Sequence, residues 1–146
     1  MKISTKGRYG LRILVELARR YGQGTVMVEV LERSQNISSP YIHQILLALK
    51  RTGFVRTVRG PHGGYELAKN PAEITAWDVA VALEGDLDVV ECVLHPGTCP
   101  RVCSCPTREV WVALREAIYA TLSTFTLEVL AQKDDSLNNT ELNYYI

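Results

Sequence analysis

The chain has 146 residues, of which 47% are apolar and 22% charged, with 10 glycines and 6 prolines; these values exclude disordered, collagen-like and low-complexity chains. No run of 18 or more apolar residues is present, so we expect a cytoplasmic protein with neither a signal peptide nor a membrane contact. The net charge of zero conceals a strong asymmetry, because residues 1–70 carry 12 Lys or Arg and 4 Asp or Glu, whereas residues 71–146 carry 4 and 12.

The basic half, with a net charge of +8, is typical of a protein whose partner is a phosphate backbone. The acidic half would be repelled by such a partner and suits regulation or assembly. A solvated basic face on a protein of another kind is the alternative interpretation of charge alone.

Three helices are predicted at the start of the basic half. The first runs from Thr5 to about Tyr21, where apolar residues recur at helical spacing. A short second helix over Val28–Ser34 stops at Asn36, which tolerates the left-handed conformation of a tight turn. The third begins after Ser38 or Ser39, which can cap it, and ends before Gly53.

The third predicted helix is amphipathic. Ile42, Ile45, Leu46 and Leu49 form its apolar stripe. The outward face is polar and carries Tyr41, His43, Gln44, Lys50 and Arg51. Two helices joined by a tight turn, the second with a polar outer face, indicate a helix-turn-helix that places a recognition helix in the major groove. A plain helical hairpin is the alternative.

A β-hairpin is predicted directly after this helix pair. Its strands are Phe54–Arg59 and Tyr65–Ala68, joined by a glycine-rich turn over residues 60–64. Such a hairpin forms the wing of a winged helix, and Arg59 at its tip can enter a minor groove. A phosphate-binding enzyme loop is the rival interpretation, but it requires a helix after the glycines and a Lys-Ser/Thr pair. We therefore predict a winged helix-turn-helix DNA-binding domain over residues 1–70.

The acidic half is predicted to hold two helices and a loop. A connecting helix lies within residues 71–91, where Thr75 can cap it and Gly85 can end it. After a cysteine-rich loop over residues 92–106, a long dimerisation helix spans residues 107–131 and presents the apolar stripe Trp111, Leu114, Ile118, Leu122, Phe125 and Val129. A core helix is the alternative for this last segment. Residues 132–146 form a polar tail.

The four cysteines, Cys92, Cys99, Cys103 and Cys105, lie within fourteen positions. Structural disulfides are rare in the cytosol, so metal ligands or redox thiols are favoured. Neither the paired Cys-x-x-Cys spacing of structural zinc nor that of thioredoxin is present. An iron-sulphur cluster tolerates irregular spacing and a fourth ligand other than cysteine. The residues alone leave four interpretations of these cysteines: an iron-sulphur cluster, a metal-free thiol sensor, a zinc site and inert cysteines.

Three segments resemble one family of bacterial regulators. They are Met1–Leu17 (MKISTKGRYGLRILVEL), Tyr41–Leu49 and Val58–Leu67 (VRGPHGGYEL), and they resemble the winged-helix regulators IscR, NsrR and CymR, with most likeness to the iron-sulphur regulator IscR. The resemblance implies a mainly α fold with a small β-hairpin wing, a homodimer, and binding to palindromic operators in double-stranded DNA. The residues assigned to DNA are Ser39, Tyr41, His43, Gln44, Arg51, Arg59, Gly60, His62 and Gly63.

The same resemblance extends to the cysteines. The spacing Cys92-x6-Cys99-x5-Cys105 is similar to that of the cluster-binding members, which implies an iron-sulphur cluster, 2Fe-2S in preference to 4Fe-4S, on these three thiolates. Arg108 stands where IscR-like proteins often have a histidine ligand, and arginine does not ligate at neutral pH. Cys103, His95 or a residue of the partner subunit would then supply the fourth ligand.

Some positions depart from the family pattern. His43 stands where family members often carry Glu, Met27 replaces a common capping Ser or Thr, and Glu32 replaces a small apolar residue. The base preference at position 43 is therefore not transferable.

We expect a transcriptional regulator, acting as a repressor and redox sensor, that reports iron-sulphur cluster status and controls cluster biogenesis or related genes. The alternative is a metal-free thiol-based redox or cysteine-metabolism repressor of the same fold. An enzyme is not expected, because the sequence contains no nucleophile-base pair or zinc-hydrolase motif.

Overall fold

The computed structural model describes residues 2–144 of the chain. The elements of the amino-terminal part are α1 (Thr5–Arg19), α2 (Val28–Gln35), α3 (Ser39–Arg51), β1 (Val55–Val58) and β2 (Gly64–Leu67). The elements of the remainder are α4 (Ala76–Glu84), α5 (Glu91–Leu94), α6 (Arg108–Ser123) and α7 (Leu127–Tyr144), with 3-10 turns at Pro71–Glu73 and Pro96–Thr98. The mainly helical winged fold predicted from the sequence is confirmed.

The core lies where the apolar faces of α1, α2 and α3 meet. The predicted stripe of α3 is fully buried, and so are the inward residues of the two preceding helices: Ile13, Leu14, Leu17, Leu31, Ile42, Ile45, Leu46 and Leu49. Asn36 ends α2 in the left-handed conformation, at φ 53°, as the turn prediction required. Burial on one face of α3 fixes which of its side chains remain available to a partner.

The hairpin of β1 and β2 is antiparallel and is anchored to the helical domain. Val55 pairs with Leu67, and both side chains are buried in the core. Outside the hairpin, Val26 exchanges two backbone hydrogen bonds with Tyr65, at 2.8 and 2.9 Å. The segment between α1 and α2 therefore acts as a third, one-residue strand beside the wing.

The connecting helix α4 begins and ends as predicted. The Thr75 hydroxyl accepts a hydrogen bond from the Asp78 amide, and the Asp78 carboxylate accepts from the Thr75 amide, which forms a capping box. Gly85 ends the helix at φ 82°, a conformation that favours glycine. At the same end of α4, the Glu84 carboxylate accepts hydrogen bonds from the amide and hydroxyl of Ser4, the N-cap of α1.

The single helix predicted over residues 107–131 is wrong, because the structure contains two helices separated at residues 124–126. The intervening segment forms an isolated bridge with the residues before α4. The Ala76 amide donates to the Phe125 carbonyl at 2.8 Å, and the Leu127 amide donates to the Ile74 carbonyl at 2.9 Å. Leu127 is fully buried, so core packing and these long-range hydrogen bonds outweigh the local helical preference.

The predicted polar tail also differs from the structure. Residues 132–144 continue α7 as a helix, and residues 145–146 lie outside the described part of the chain. Arg19 on α1 contacts two acidic residues of α7, Asp135 at 2.7 Å and Asp134 at 3.3 Å. Leu127 and Ala131 at the start of α7 are buried in the core, so this packing holds the helix against the domain, and the exposed ion pairs to Arg19 add a smaller contribution.

No helix in residues 2–144 is long and apolar enough to cross a membrane.

Candidate nucleic-acid interface and cysteine segment

The outer face of α3 is accessible and mostly polar, as predicted, although the exposed apolar side chain of Leu47 lies among its polar residues. His43, Gln44, Lys50 and Arg51 are exposed, whereas Tyr41 is half-buried. All of them project from a helix whose opposite side is fixed in the core. This face presents hydrogen-bond donors, acceptors and cations on a rigid element, which is the chemistry that reads base edges and contacts phosphates.

Ser39, the first residue of α3, is already engaged within the chain. Its hydroxyl donates to one carboxylate oxygen of Glu32, and its amide donates to the other at 3.3 Å. The Ser38 side chain, at the N-cap position, makes no capping hydrogen bond. Glu32 therefore caps the recognition helix from α2, a role that sequence reasoning missed because its partner lies on a different helix.

Tyr41 is supported from α1. Its ring makes an edge-to-face contact with Tyr9, with 6.0 Å between ring centroids, and the Arg12 guanidinium lies 5.2 Å from the Tyr9 ring centroid. Arg12 also donates to the backbone carbonyl of Gln35 at 2.6 Å, at the end of α2. Tyr9 lies in the amino-terminal segment that resembles the family, although no contact with the recognition helix was predicted for it.

The wing tip is a tight turn closed by the Gly63 amide, which donates to the Gly60 carbonyl at 2.9 Å. Gly60 has φ 118°, and a Cβ atom on Gly63 would lie 2.4 Å from the Val58 carbonyl oxygen, so both positions require glycine. The Thr25 hydroxyl donates to the His62 carbonyl at 2.7 Å. Arg59 and His62 are exposed at this anchored tip.

The two arginines of the wing differ in their surroundings. Arg56 donates to the Glu66 carboxylate on the opposite strand at 2.7 Å, which partly neutralises its charge. Arg59 has no ion pair among residues 2–144. The free cation of the wing is therefore at its tip.

The structure distributes the four predicted ligands along one irregular segment. Cys92 lies on α5, Cys99 follows the 3-10 turn at Pro96–Thr98, and Cys103 and Cys105 precede α6. All four are free thiols, and Cys103 is exposed. No three His, Cys, Asp or Glu side chains within residues 2–144 are close enough together to hold a metal ion. The described thiols are therefore not gathered around one point, and a cluster on Cys92, Cys99 and Cys105 stays a prediction.

The Cys105 thiol differs from an ordinary cysteine because of its neighbour Thr107. The Thr107 hydroxyl lies 3.2 Å from Sγ, and its hydrogen bond to the thiolate lowers the pKa of Cys105. Close by, the Arg108 amide donates to the Cys105 carbonyl at 3.3 Å. The Arg108 Nε is buried without a hydrogen-bond partner among the described residues. These groups favour negative charge at the start of α6.

We expect the alkylation rate of Cys105 to reach half its maximum at a pH below that of an unperturbed thiol, because the thiolate is the reactive form. Thr107→Val removes the hydroxyl and should move this midpoint to higher pH. Thr98→Val is the control, since the Thr98 hydroxyl donates to the His95 carbonyl instead. Iodoacetamide labelling read by mass spectrometry gives the midpoint. A midpoint that Thr107→Val leaves unchanged would contradict the assignment.

Comparison with known proteins gives a consistent result over nearly the whole chain. A model of the Rrf2 family, described as iron-dependent transcriptional regulators, matches residues 3–133. The HTH-type transcriptional regulator CymR of Bacillus subtilis is 40% identical over 92% of this chain and 93% of its own length. The regulator IscR of Serratia proteamaculans is 33% identical over 94% of this chain and 83% of its own length.

Solved structures agree with the sequence comparison. The structure of CymR, described as the global cysteine regulator of B. subtilis, superimposes with a TM-score of 0.78 at 37% identity and covers 91% of this chain and 98% of its own. T. potens IscR superimposes with a TM-score of 0.73 at 31% identity, covering 92% of this chain and 88% of its own.

Proposed function

The chain belongs to the Rrf2 family of transcriptional regulators, and we propose that it is a homodimeric repressor that binds palindromic operators and responds through its four cysteines. Members of this family are DNA-binding regulators and not enzymes. The observation that carries the proposal is the polar outer face of α3 beside an anchored basic wing, in a half of the chain with net charge +8. We expect it to act in the cytoplasm, where the bacterial chromosome lies.

The DNA interface that we propose has two parts. The major-groove part consists of Tyr41, His43 and Gln44 on the first turns of α3, with Arg51 on the phosphate backbone at its far end. The minor-groove part is the wing tip, where Arg59 and His62 flank glycines 60 and 63, whose small size lets the backbone approach the phosphates. Of these side chains, His43, Gln44, Arg51, Arg59 and His62 are exposed and Tyr41 is half-buried, which supports the assignment.

The proposed dimer rests on α6. No residue of this helix is buried in the single chain. Val110 and Leu114, one turn apart on the same side, are 58% and 39% exposed, whereas Tyr119 lies on another side of the helix and contacts Trp77. A helix with an uncovered apolar face requires a partner. Two copies related by a two-fold axis would present two α3 helices to half-sites one DNA turn apart, which is why a palindromic operator is expected.

Two kinds of signal are candidates for the cysteine segment. The hydrogen bond from Thr107 to Cys105 and the lowered pKa of that thiol favour direct thiol oxidation, and the likeness to CymR, described as a global cysteine regulator, favours cysteine metabolism as the controlled process. The description of the family as iron-dependent and the likeness to IscR favour an iron-sulphur cluster on Cys92, Cys99 and Cys105, with cluster assembly as the controlled process. The segment joins α4 directly to α6, so either signal would act between the DNA-binding domain and the dimer helix.

We expect Cys92→Ala to abolish the difference in operator affinity between protein purified without oxygen and the same protein after oxidation. The matched control is Ser104→Ala, which changes an exposed residue of the same segment and leaves every thiol in place. Fluorescence anisotropy with operator DNA gives the affinities. An oxidation response that survives Cys92→Ala would contradict the role of this cysteine.

Iron and sulphide analysis of the oxygen-free sample separates the two signals. Brown protein with about two or four irons per chain would support the cluster. Colourless protein that resists reconstitution and still responds to oxidation would support thiol chemistry.

A further inference from the structure

Glu32 is the one acidic residue of the basic half that contacts the start of the recognition helix, within the described part of the chain. Residues 1–70 contain four acidic residues, Glu16, Glu29, Glu32 and Glu66. Glu16 pairs with Arg19 and Arg20, and Glu66 pairs with Arg56. Glu29 is exposed on the first turn of α2. Glu32 itself forms no ion pair with another residue of 2–144, so its carboxylate must have another role.

Among residues 2–144, the hydrogen bonds of the Glu32 carboxylate are all with Ser39. One carboxylate oxygen accepts from the Ser39 amide at 3.3 Å, and the other accepts from the Ser39 hydroxyl. The amide is one of the donors that every helix start leaves without an intrahelical partner. A carboxylate there interacts favourably with the positive end of the helix. Ser38 provides no side-chain cap, so Glu32 supplies the polar contact between α2 and the first turn of α3, beside the buried packing of Leu31 and Ile42.

This arrangement has two consequences for DNA. The Ser39 hydroxyl hydrogen is engaged by Glu32, so Ser39 contributes by orienting α3 and not as a free donor to the groove. In addition, a negative charge is held beside the part of α3 that is expected to approach DNA. Phosphates of any sequence are repelled by that charge, whereas base contacts depend on the position of α3 that the same residue maintains.

We propose that Glu32 is a positioning and specificity-determining residue, which weakens binding to random DNA while it holds the recognition helix in register for the operator. This inference rests on the proposed DNA-binding function. Non-specific affinity consists almost entirely of the electrostatic interaction with phosphates, so loss of the charge would strengthen it. Operator binding would also gain from the removal of this repulsion. It would lose affinity because α3 is held less firmly, since a neutral hydrogen bond is weaker than a charge-assisted one.

The test compares operator and random-sequence duplexes of equal length with Glu32→Gln, which keeps the size of the side chain and removes its charge. We expect random DNA to bind about three- to fivefold more tightly. The ratio of operator to random affinity should fall roughly 3- to 10-fold. The gain on random DNA should shrink as salt rises, because screening weakens the repulsion that was removed.

Two further variants separate charge from orientation. Ser39→Ala keeps the carboxylate and removes the hydroxyl, so it should weaken operator binding more than random-DNA binding, without the gain on random DNA expected for Glu32→Gln. Glu29→Gln removes the same charge from an exposed site on the same helix and should leave the affinity ratio at the wild-type value.

The outcomes are decisive for the role of Glu32. An unchanged ratio in Glu32→Gln, or an equal loss of affinity for both duplexes, would overturn the proposal, since an equal loss indicates damage to the fold. A wild-type protein that binds neither duplex would instead contradict the proposed function itself.

Discussion

Replacing Leu114 by aspartate is expected to convert the protein to a monomer and to lower its operator affinity at least about 100-fold. Leu114 lies in the middle of α6, a helix with no buried residue in the single chain. Burying an unpaired carboxylate in an apolar interface is strongly unfavourable. A monomer engages one half-site at a time, so it loses the gain in affinity that comes from linking two recognition helices.

Sedimentation velocity measures the oligomeric state of this variant, and anisotropy with a full operator measures its affinity. Leu114→Met is the matched control, because it keeps an apolar side chain of similar volume and should remain dimeric. A half-site duplex should bind the wild type and Leu114→Asp with similar affinity per DNA-binding domain. If Leu114→Asp sedimented as a dimer with wild-type operator affinity, α6 would not be the dimer helix at this position.

Arg59→Ala is expected to weaken operator binding by about 1–3 kcal/mol, which corresponds to roughly 5- to 150-fold. Arg59 is exposed at the tip of the wing and has no ion pair among residues 2–144, so its full charge is available to a narrow minor groove. The turn that carries it is anchored by the Gly63 amide and by Thr25. A fixed position reduces the entropy that binding would otherwise cost.

Arg56→Ala is the control for Arg59, since it removes the same charge from the same hairpin. Arg56 is paired with Glu66 across the strands, so we expect a smaller loss of operator affinity. Both variants are measured at one fixed salt concentration, because phosphate contacts are strongly salt-dependent. Equal losses for Arg56 and Arg59 would indicate a general charge effect and contradict a specific contact at the wing tip.

More of the structure could be predicted from the sequence in the basic half of the chain than in the acidic half. In the basic half, the elements follow local rules that a reader of the sequence can apply. The spacing of Ile42, Ile45 and Leu49 required a buried helical face, and Asn36 required a left-handed turn. The glycines between two β-prone segments required a hairpin. These expectations are confirmed to within a few residues.

The acidic half was predicted less well because its structure depends on contacts distant in the sequence. Residues 124–126 contain no proline or glycine, but Thr126 accepts a hydrogen bond from the Val129 amide as an N-cap of α7, and hydrogen bonds of Phe125 and Leu127 with Ala76 and Ile74 hold the break. Residues 132–144 have no strong apolar periodicity, and Arg19 of α1 attaches them through Asp134 and Asp135. The cysteine spacing predicts metal ligands, and this stays a prediction, because the positions of thiols in an irregular segment are not determined by spacing alone.

The sequence by itself determined the winged helix, the outward face of α3 and the concentration of thiols in one segment, because helical periodicity, turn chemistry and residue clustering are local properties. Only the tertiary structure decided which polar groups are free and which are engaged. Glu32 caps α3, Glu66 pairs with Arg56, and Thr107 hydrogen-bonds with Cys105. Each of these pairings depends on where two separate segments meet or on how a loop folds. None of the three can be recognised from the identity of one residue.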